Sequence, residues 1–308
     1  MTDERAVLLG QRASLLARMR DVAASGPGTD PVRRVHLTLA MDRYLARLLA
    51  TTEWGSWILK GGYANQLRAP TDARFTQDID LKLGAPLSDA QRILAMAATT
   101  DLHDLLAFEF AAPPVLLSGP PGGGLRFPMR ALLGGTEFVR FGVDVNSRDV
   151  VVGKLERHSS DPIVAKLLFP ESSFPVYPIA QQFAEKLHAF SRQRDQENTR
   201  VKDLADMVWF IERNRFRSDE LIDAGVATFD RRAEQPWPPE LPDPPATWVK
   251  SYTALRVEMR IAPVTPKAAR DGLAAFLEPV LREQRGLRSQ RGGRWSPSTK
   301  PRASRLKP

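Results

Sequence analysis

The hydrophobic positions of this chain change period along its length, and the changes outline its elements. Residues 4–24 place Leu8, Leu9, Leu15, Leu16, Met19 and Val22 at helical spacing, and residues 31–50 repeat it with Leu37, Met41, Leu45 and Leu48. Asp30-Pro31 opens the second helix as cap and first-turn proline. Trp57-Ile58-Leu59-Lys60 reads as a short strand or a helix end running into the Gly61-Gly62 turn, followed by a short helix over 63–69. Residues 78–83 alternate strictly and predict a strand, and Ser88-Asp89 caps a helix to about residue 99. Strands are predicted at 106–111, 114–118, 125–133 and 137–146. They are broken by the glycine- and proline-rich run 118–124, read as a hairpin tip, and by Gly134-Gly135. From about 178 the pattern is helical, over 178–193, 200–214, 218–231, 247–259 and 266–285, and the proline-rich stretch 236–245 interrupts it as a loop. The order predicts an α+β fold with a domain at 1–175, a helical domain at 176–285 and a tail at 286–308.

Composition narrows the class. The 308 residues are 43% hydrophobic and 26% charged, as in a globular protein, and contain no cysteine, which excludes disulfides and thiolate metal sites. Neither a basic-then-apolar leader nor an apolar run of ~18–20 residues occurs, so the expectation is a cytoplasmic protein without membrane spans. The net charge is +8, but residues 286–308 hold seven cations and no acid, so the rest is nearly neutral. That tail reads first as a solvated, disordered terminus and second as an RNA-binding arm.

The candidate chemistry lies at 61–81. Residues i and i+2 of a strand share a face, so Asp78 and Asp80 project together while Ile79, Leu81 and Leu83 fill the other side. Two such carboxylates bind hard cations, Mg²⁺ or Mn²⁺, as metal-dependent nucleotidyl transfer requires. Gly61 and Gly62 let backbone approach a triphosphate. On 137–146, Phe141, Val143 and Val145 alternate with Arg140, Gly142, Asp144 and Asn146, so Asp144 is a third ligand or a general base. Lys186 lies off the stripe Ile179, Phe183, Leu187, Phe190 and suits triphosphate charge; Asp203 and Asp206 share a helix face, with Asp203 placed to orient Lys186 or a substrate hydroxyl. The bland readings are a solvated Lys186 and a Lys202–Asp206 helix ion pair. The histidines His36, His103, His158 and His188 have no metal-ligand spacing.

Taken in order, Lys60-Gly61-Gly62-Tyr63-Ala64, Arg74-x-Thr76-x-Asp78-Ile79-Asp80-Leu81, Glu185-Lys186-Leu187-His188-Ala189 and Arg200-Val201-Lys202-Asp203-Leu204-x-Asp206 resemble the AbiEii/AbiGii-type nucleotidyltransferase toxins, the group that includes the MenT toxins. The resemblance spans about 55–215. It implies a DNA polymerase β-like nucleotidyltransferase core with flanking N-terminal helices and a helical C-terminal half. It implies Mg²⁺-dependent transfer of NMP from an NTP to the 3′ end of tRNA, in a toxin–antitoxin or phage-defence system with a cognate antitoxin, in some cases a kinase. By motif, Asp78 and Asp80 are metal ligands, Lys186 and Asp203 belong to the catalytic centre, and Gly61, Gly62, Arg74, Thr76, Lys186 and Arg200 line the NTP site. Thr76 falls at the Ser/Thr position that some antitoxins phosphorylate. Asp144 comes from the strand pattern alone. The rival readings are transfer to a small molecule or protein, and a non-catalytic RNA- or partner-binding module on the same fold.

Overall fold

The computed structural model describes residues 2–26, 30–117 and 123–290, without the side chains of 2–6 and 285–290. Within these the fold is α+β, and contacts divide it into two compact units: residues 1–148 with 155–176, and residues 149–154 with 177–308.

The first unit is a mixed sheet with helices. Helices α1 (Thr2–Ala24) and α2 (Pro31–Thr51) precede strand β1 (Trp57–Lys60), helix α3 (Gly61–Arg68) and strand β2 (Asp78–Leu83). A 3₁₀ turn at 87–89 leads into α4 (Ala90–Thr99). Then come β3 (Leu106–Phe110), β4 (Val115–Leu117), β5 (Gly124–Leu133), β6 (Thr136–Asn146), β7 (Glu156–Ser159), α5 (Pro162–Lys166) and β8 (Ser173–Val176). The sheet order is β3-β5-β6-β2-β1-β8-β7, with β4 on β5. The β2–β6 and β1–β8 pairs are parallel and the others antiparallel.

The alternation read from the sequence governs the sheet's two faces. Ile79, Leu81, Leu83, Phe127, Met129, Ala131, Val143 and Val145 are buried in one core with Leu37, Met41, Tyr44 and Leu48 of α2. Tyr44 meets Phe108 and Phe141 edge-on at centroid distances of 5.3 and 5.8 Å. Asp30 caps α2 by accepting from the Arg33 N–H at 3.0 Å. The helix is buried nearly all round from 34 to 48, and its charged members are individually satisfied or orphaned. Arg47, fully buried, donates to Asp104 at 2.6 Å and to the Leu106 carbonyl at 2.7 Å, which ties α2 to the start of β3. Asp42 is the contrary case, with both carboxylate oxygens buried and without a hydrogen-bond partner in good geometry.

Three sequence expectations need correction. Asp89 makes no side-chain cap bond to α4, since the 3₁₀ turn already feeds the helix. The segments 156–159, 162–166 and 173–176, left without elements, form β7, α5 and β8. The tail proposed from 286 begins within a helix that runs to Gln290, while 291–308 and most of the expected hairpin tip, 118–122, lie outside the described residues.

The second unit is helical: α6 (Ile179–Ser191), α7 (Val201–Arg213), α8 (Ser218–Arg232), α9 (Trp248–Met259) and α10 (Pro266–Gln290). Phe183, Phe216 and Phe276 pack mutually at 5.4–5.7 Å. The proline-rich loop is pinned where Trp237 packs edge-on to Phe229 and donates to Gln284 at 2.8 Å. Gln182 and Ser191 of α6 are buried along with its apolar stripe. No described helix is long and apolar enough to cross a membrane.

Candidate active site

The polar face of the sheet carries the first group of residues. In the parallel β2–β6 register Asp80 stands opposite Asp144, and Asp78 opposite Gly142. In the antiparallel β1–β2 register Lys60 stands opposite Asp80, and in β5–β6 Arg126 stands opposite Asp144. One row across four strands therefore reads Arg126, Asp144, Asp80, Lys60, two carboxylates between two cations. Like charges facing one another across strands are destabilising, and the flanking cations offset this.

Close approach of backbone to these carboxylates explains two glycines. Gly61 has φ +69°, a conformation L side chains rarely adopt, and a Cβ there would overlap the Asp80 carboxylate. A Cβ at Gly142 would lie 2.5 Å from Asp78 Oδ1. Gly62 packs directly over Thr76, whose side chain is buried and whose hydroxyl donates to the Asp78 carbonyl at 3.4 Å. Lys60 precedes α3 without a side-chain cap, so Gly61-Gly62 forms the first turn of that helix above Asp80. Arg74 is half-buried on the approach to β2.

Arg126 is the residue the sequence reading missed. Its Nε donates to Asp144 Oδ1 at 2.6 Å and its Nη2 to Asp144 Oδ2 at 2.8 Å, a two-pronged pair, and Nη2 lies 3.5 Å from Asp78 Oδ2. The hydrogen bonds to Asp144, with the charges of Asp144, Asp78 and Asp80, hold the guanidinium above its ordinary pKa. A signal was present: Arg126, Pro128 and Arg130 alternate with buried Phe127 and Met129. A shallow depression of about 330 Å³ adjoins this face, bordered by Asp78, Arg126, Arg140 and Gly142.

The donor set can be tested against a divalent cation. Asp78 and Asp80, two oxygen-rich side chains side by side, fit a hard cation. Asp144 in this arrangement does not join them, because both of its oxygens are engaged by Arg126. Accordingly, among the described residues no group of three His, Cys, Asp or Glu side chains is arranged to hold a metal.

The second group lies in the helical unit. Lys186 of α6 donates to Asp203 Oδ1 at 3.0 Å and meets Asp206 Oδ2 at 2.7 Å. Arg200 stands 3.8 Å from Asp203. Lys186 is thus a half-buried cation bridging two carboxylates, not the solvated residue of the bland reading. Nearby His188 is buried, and burial, helped by Arg232, Arg192 and Arg194, pushes its pKa down to about 4, so it is neutral at pH 7.

The family model described as nucleotidyl transferase AbiEii toxin, type IV toxin–antitoxin system, matches residues 43–291. The chain belongs to the AbiEii family. The match covers both groups of residues and extends past the 55–215 span of the ordered motifs. As an AbiEii-family member it is a nucleotidyltransferase toxin, with a nucleotide substrate and an antitoxin partner. No curated protein matches the chain.

Proposed function

We propose that this AbiEii-family chain transfers NMP from an NTP to the 3′ end of tRNA in the cytoplasm, blocking translation, on a DNA polymerase β-like sheet. The observation that carries the reading is the placement of Asp78, Asp80 and Asp144 on one sheet face, with Gly61-Gly62 turned onto Asp80. When bound by Asp78 and Asp80, Mg²⁺ or Mn²⁺ supplies activation of the attacking hydroxyl and neutralises charge on the leaving pyrophosphate. The chain's own groups supply the rest. The backbone N–H groups opening α3 at Gly61-Gly62 suit triphosphate oxygens. Asp144 suits the proton of the attacking 3′ hydroxyl once its pairing with Arg126 is opened. Arg74 and Arg200 are assigned to the NTP phosphates by the motif match, as Lys186 and Asp203 are to the catalytic centre.

The same reading gives the antitoxin, where it is a kinase, Thr76 as its target. Phosphorylation would bring about −2 charge beside Asp78 and Asp80. Because the Thr76 hydroxyl is packed under Gly62, a kinase must first separate that contact.

Incubation of each α-³²P-labelled NTP with total tRNA and Mg²⁺ tests the proposal, with Asp80→Asn as control. Label on tRNA from at least one NTP is expected, falling by at least about a hundredfold in the variant. No label with any of the four from folded protein overturns the tRNA reading; label on a small molecule or protein in extract moves the acceptor to that class.

A further inference from the structure

Arg126 sits where a metal-binding face would least be expected to place a cation. Its fork takes both oxygens of Asp144 at 2.6 and 2.8 Å and reaches Asp78 at 3.5 Å, so it draws on two of the three carboxylates. The planar guanidinium matches this geometry in a way an ammonium cannot. Without compensation, Asp80 and Asp144 would face each other in register as bare like charges, with Asp78 two residues away. Yet water reaches the pairing: the Arg126 and Asp78 side chains are 42% and 40% exposed, while Asp144 is 17% exposed. A pair with one partner in solvent can exchange that partner without leaving it desolvated, whereas a fully enclosed brace cannot.

We infer that Arg126 is a resident counter-cation of the acidic face, holding Asp144 and Asp78 while no metal is bound and releasing them as a divalent cation binds. The inference rests on the reading of Asp78 and Asp80 as metal ligands. No bond is made or broken; a guanidinium and a dication exchange places on the same carboxylate oxygens. Coupling of this kind is reciprocal in sign, so removing the guanidinium must strengthen metal binding if metal displaces the Arg126 pair.

The test uses the full chain without nucleotide. Mn²⁺ affinity is read by electron paramagnetic resonance for the unmodified protein, Arg126→Met and Asp80→Asn. The Arg126 Nε–Hε resonance is followed by NMR during a Mg²⁺ titration and assigned by its absence from Arg126→Lys. Exchange predicts Mn²⁺ binding about tenfold tighter in Arg126→Met. It also predicts loss of the hydrogen-bonded resonance as Mg²⁺ saturates. A resonance that persists at saturation, or unchanged affinity in Arg126→Met, overturns the exchange and makes Arg126 a fixed brace. If Asp80→Asn still abolishes Mn²⁺ binding in that case, the metal reading survives. If no form binds Mn²⁺, both fall. Should Arg126→Met fail to fold, the titration of the unmodified protein decides alone.

Discussion

Two cations in this chain each bridge a pair of carboxylates, in opposite surroundings. Lys186 joins Asp203 and Asp206 among helices, with side-chain exposures of 11, 16 and 0%. Arg126 joins Asp144 and Asp78 on a sheet face, with exposures of 42, 17 and 40%. The chemistry is nearly the same, but the access of water is not. A buried charge that loses its partner cannot be rescued by solvent, so the Lys186 cluster is bound up with folding. An exposed charge can, so the geometry of Arg126 is hard to account for by stability alone. Burial thus separates the ion pair that holds structure from the one that is free to exchange.

Breaking the buried side should have the largest effect. Lys186→Met takes the ammonium away from a fully buried Asp206, and urea unfolding should show a loss of about 3–5 kcal/mol. An unchanged midpoint would mean that water reaches Asp206 after all. Asp42 takes the comparison to its limit, a fully buried carboxylate with no ion-pair partner among the described residues. Burial raises its pKa to about 7; Ser160 and Arg43 temper the shift, and Asp161 and Glu171 add to it. The folded state then binds a proton that the unfolded state has already released, so stability falls as pH rises from about 4 to about 7. Asp42→Asn should flatten that slope and raise stability at pH 8 by on the order of 3 kcal/mol, with little change at pH 4. Equal pH profiles for both proteins would rule this out.

Smaller effects sharpen the exposed side. Gly61→Ala forces a Cβ onto Asp80 at a left-handed position and should cost about 1–3 kcal/mol by thermal unfolding. Last comes Arg126→Met, where the loss should be at most about 1 kcal/mol and should shrink further in 1 M salt. A loss as large as that of Lys186→Met would erase the contrast between the two clusters.

Much of this was legible in the sequence where periodicity is strict. Residues 78–83, 125–131 and 139–146 alternate apolar with polar or small residues, and their faces follow, with Gly142 buried as well. β7, α5 and β8 were not legible because each has only four or five residues; β7 is polar throughout and β8 contains Pro175. The pairing of Arg126 with Asp144 was hidden for a subtler reason. Gly134-Gly135, both at positive φ, make a two-residue turn that sets Leu133 opposite Thr136 and Leu132 opposite Glu137. Extended evenly, that register would put Arg126 opposite Val143, on the wrong face. A bulge between Ala131 and Leu132 shifts the ladder by one and delivers Arg126 to Asp144. Lys186 and Asp203 were legible as residues, but their burial depends on helix packing that no local pattern encodes.

Parallel pairing of β1 with β8 has a consequence for the chain as it is made. Leu59 pairs with Leu81 on one side but on the other waits for Val176, whereas the strands that carry the acidic face are complete at Asn146. Emerging from the ribosome at ~5–20 residues per second, the nascent polypeptide therefore spends on the order of seconds with its acidic face assembled and one flank of β1 open. An open strand edge is a template for any extended segment nearby. The moment at which this enzyme is easiest to intercept thus comes during its own synthesis, before the eighth strand closes the sheet.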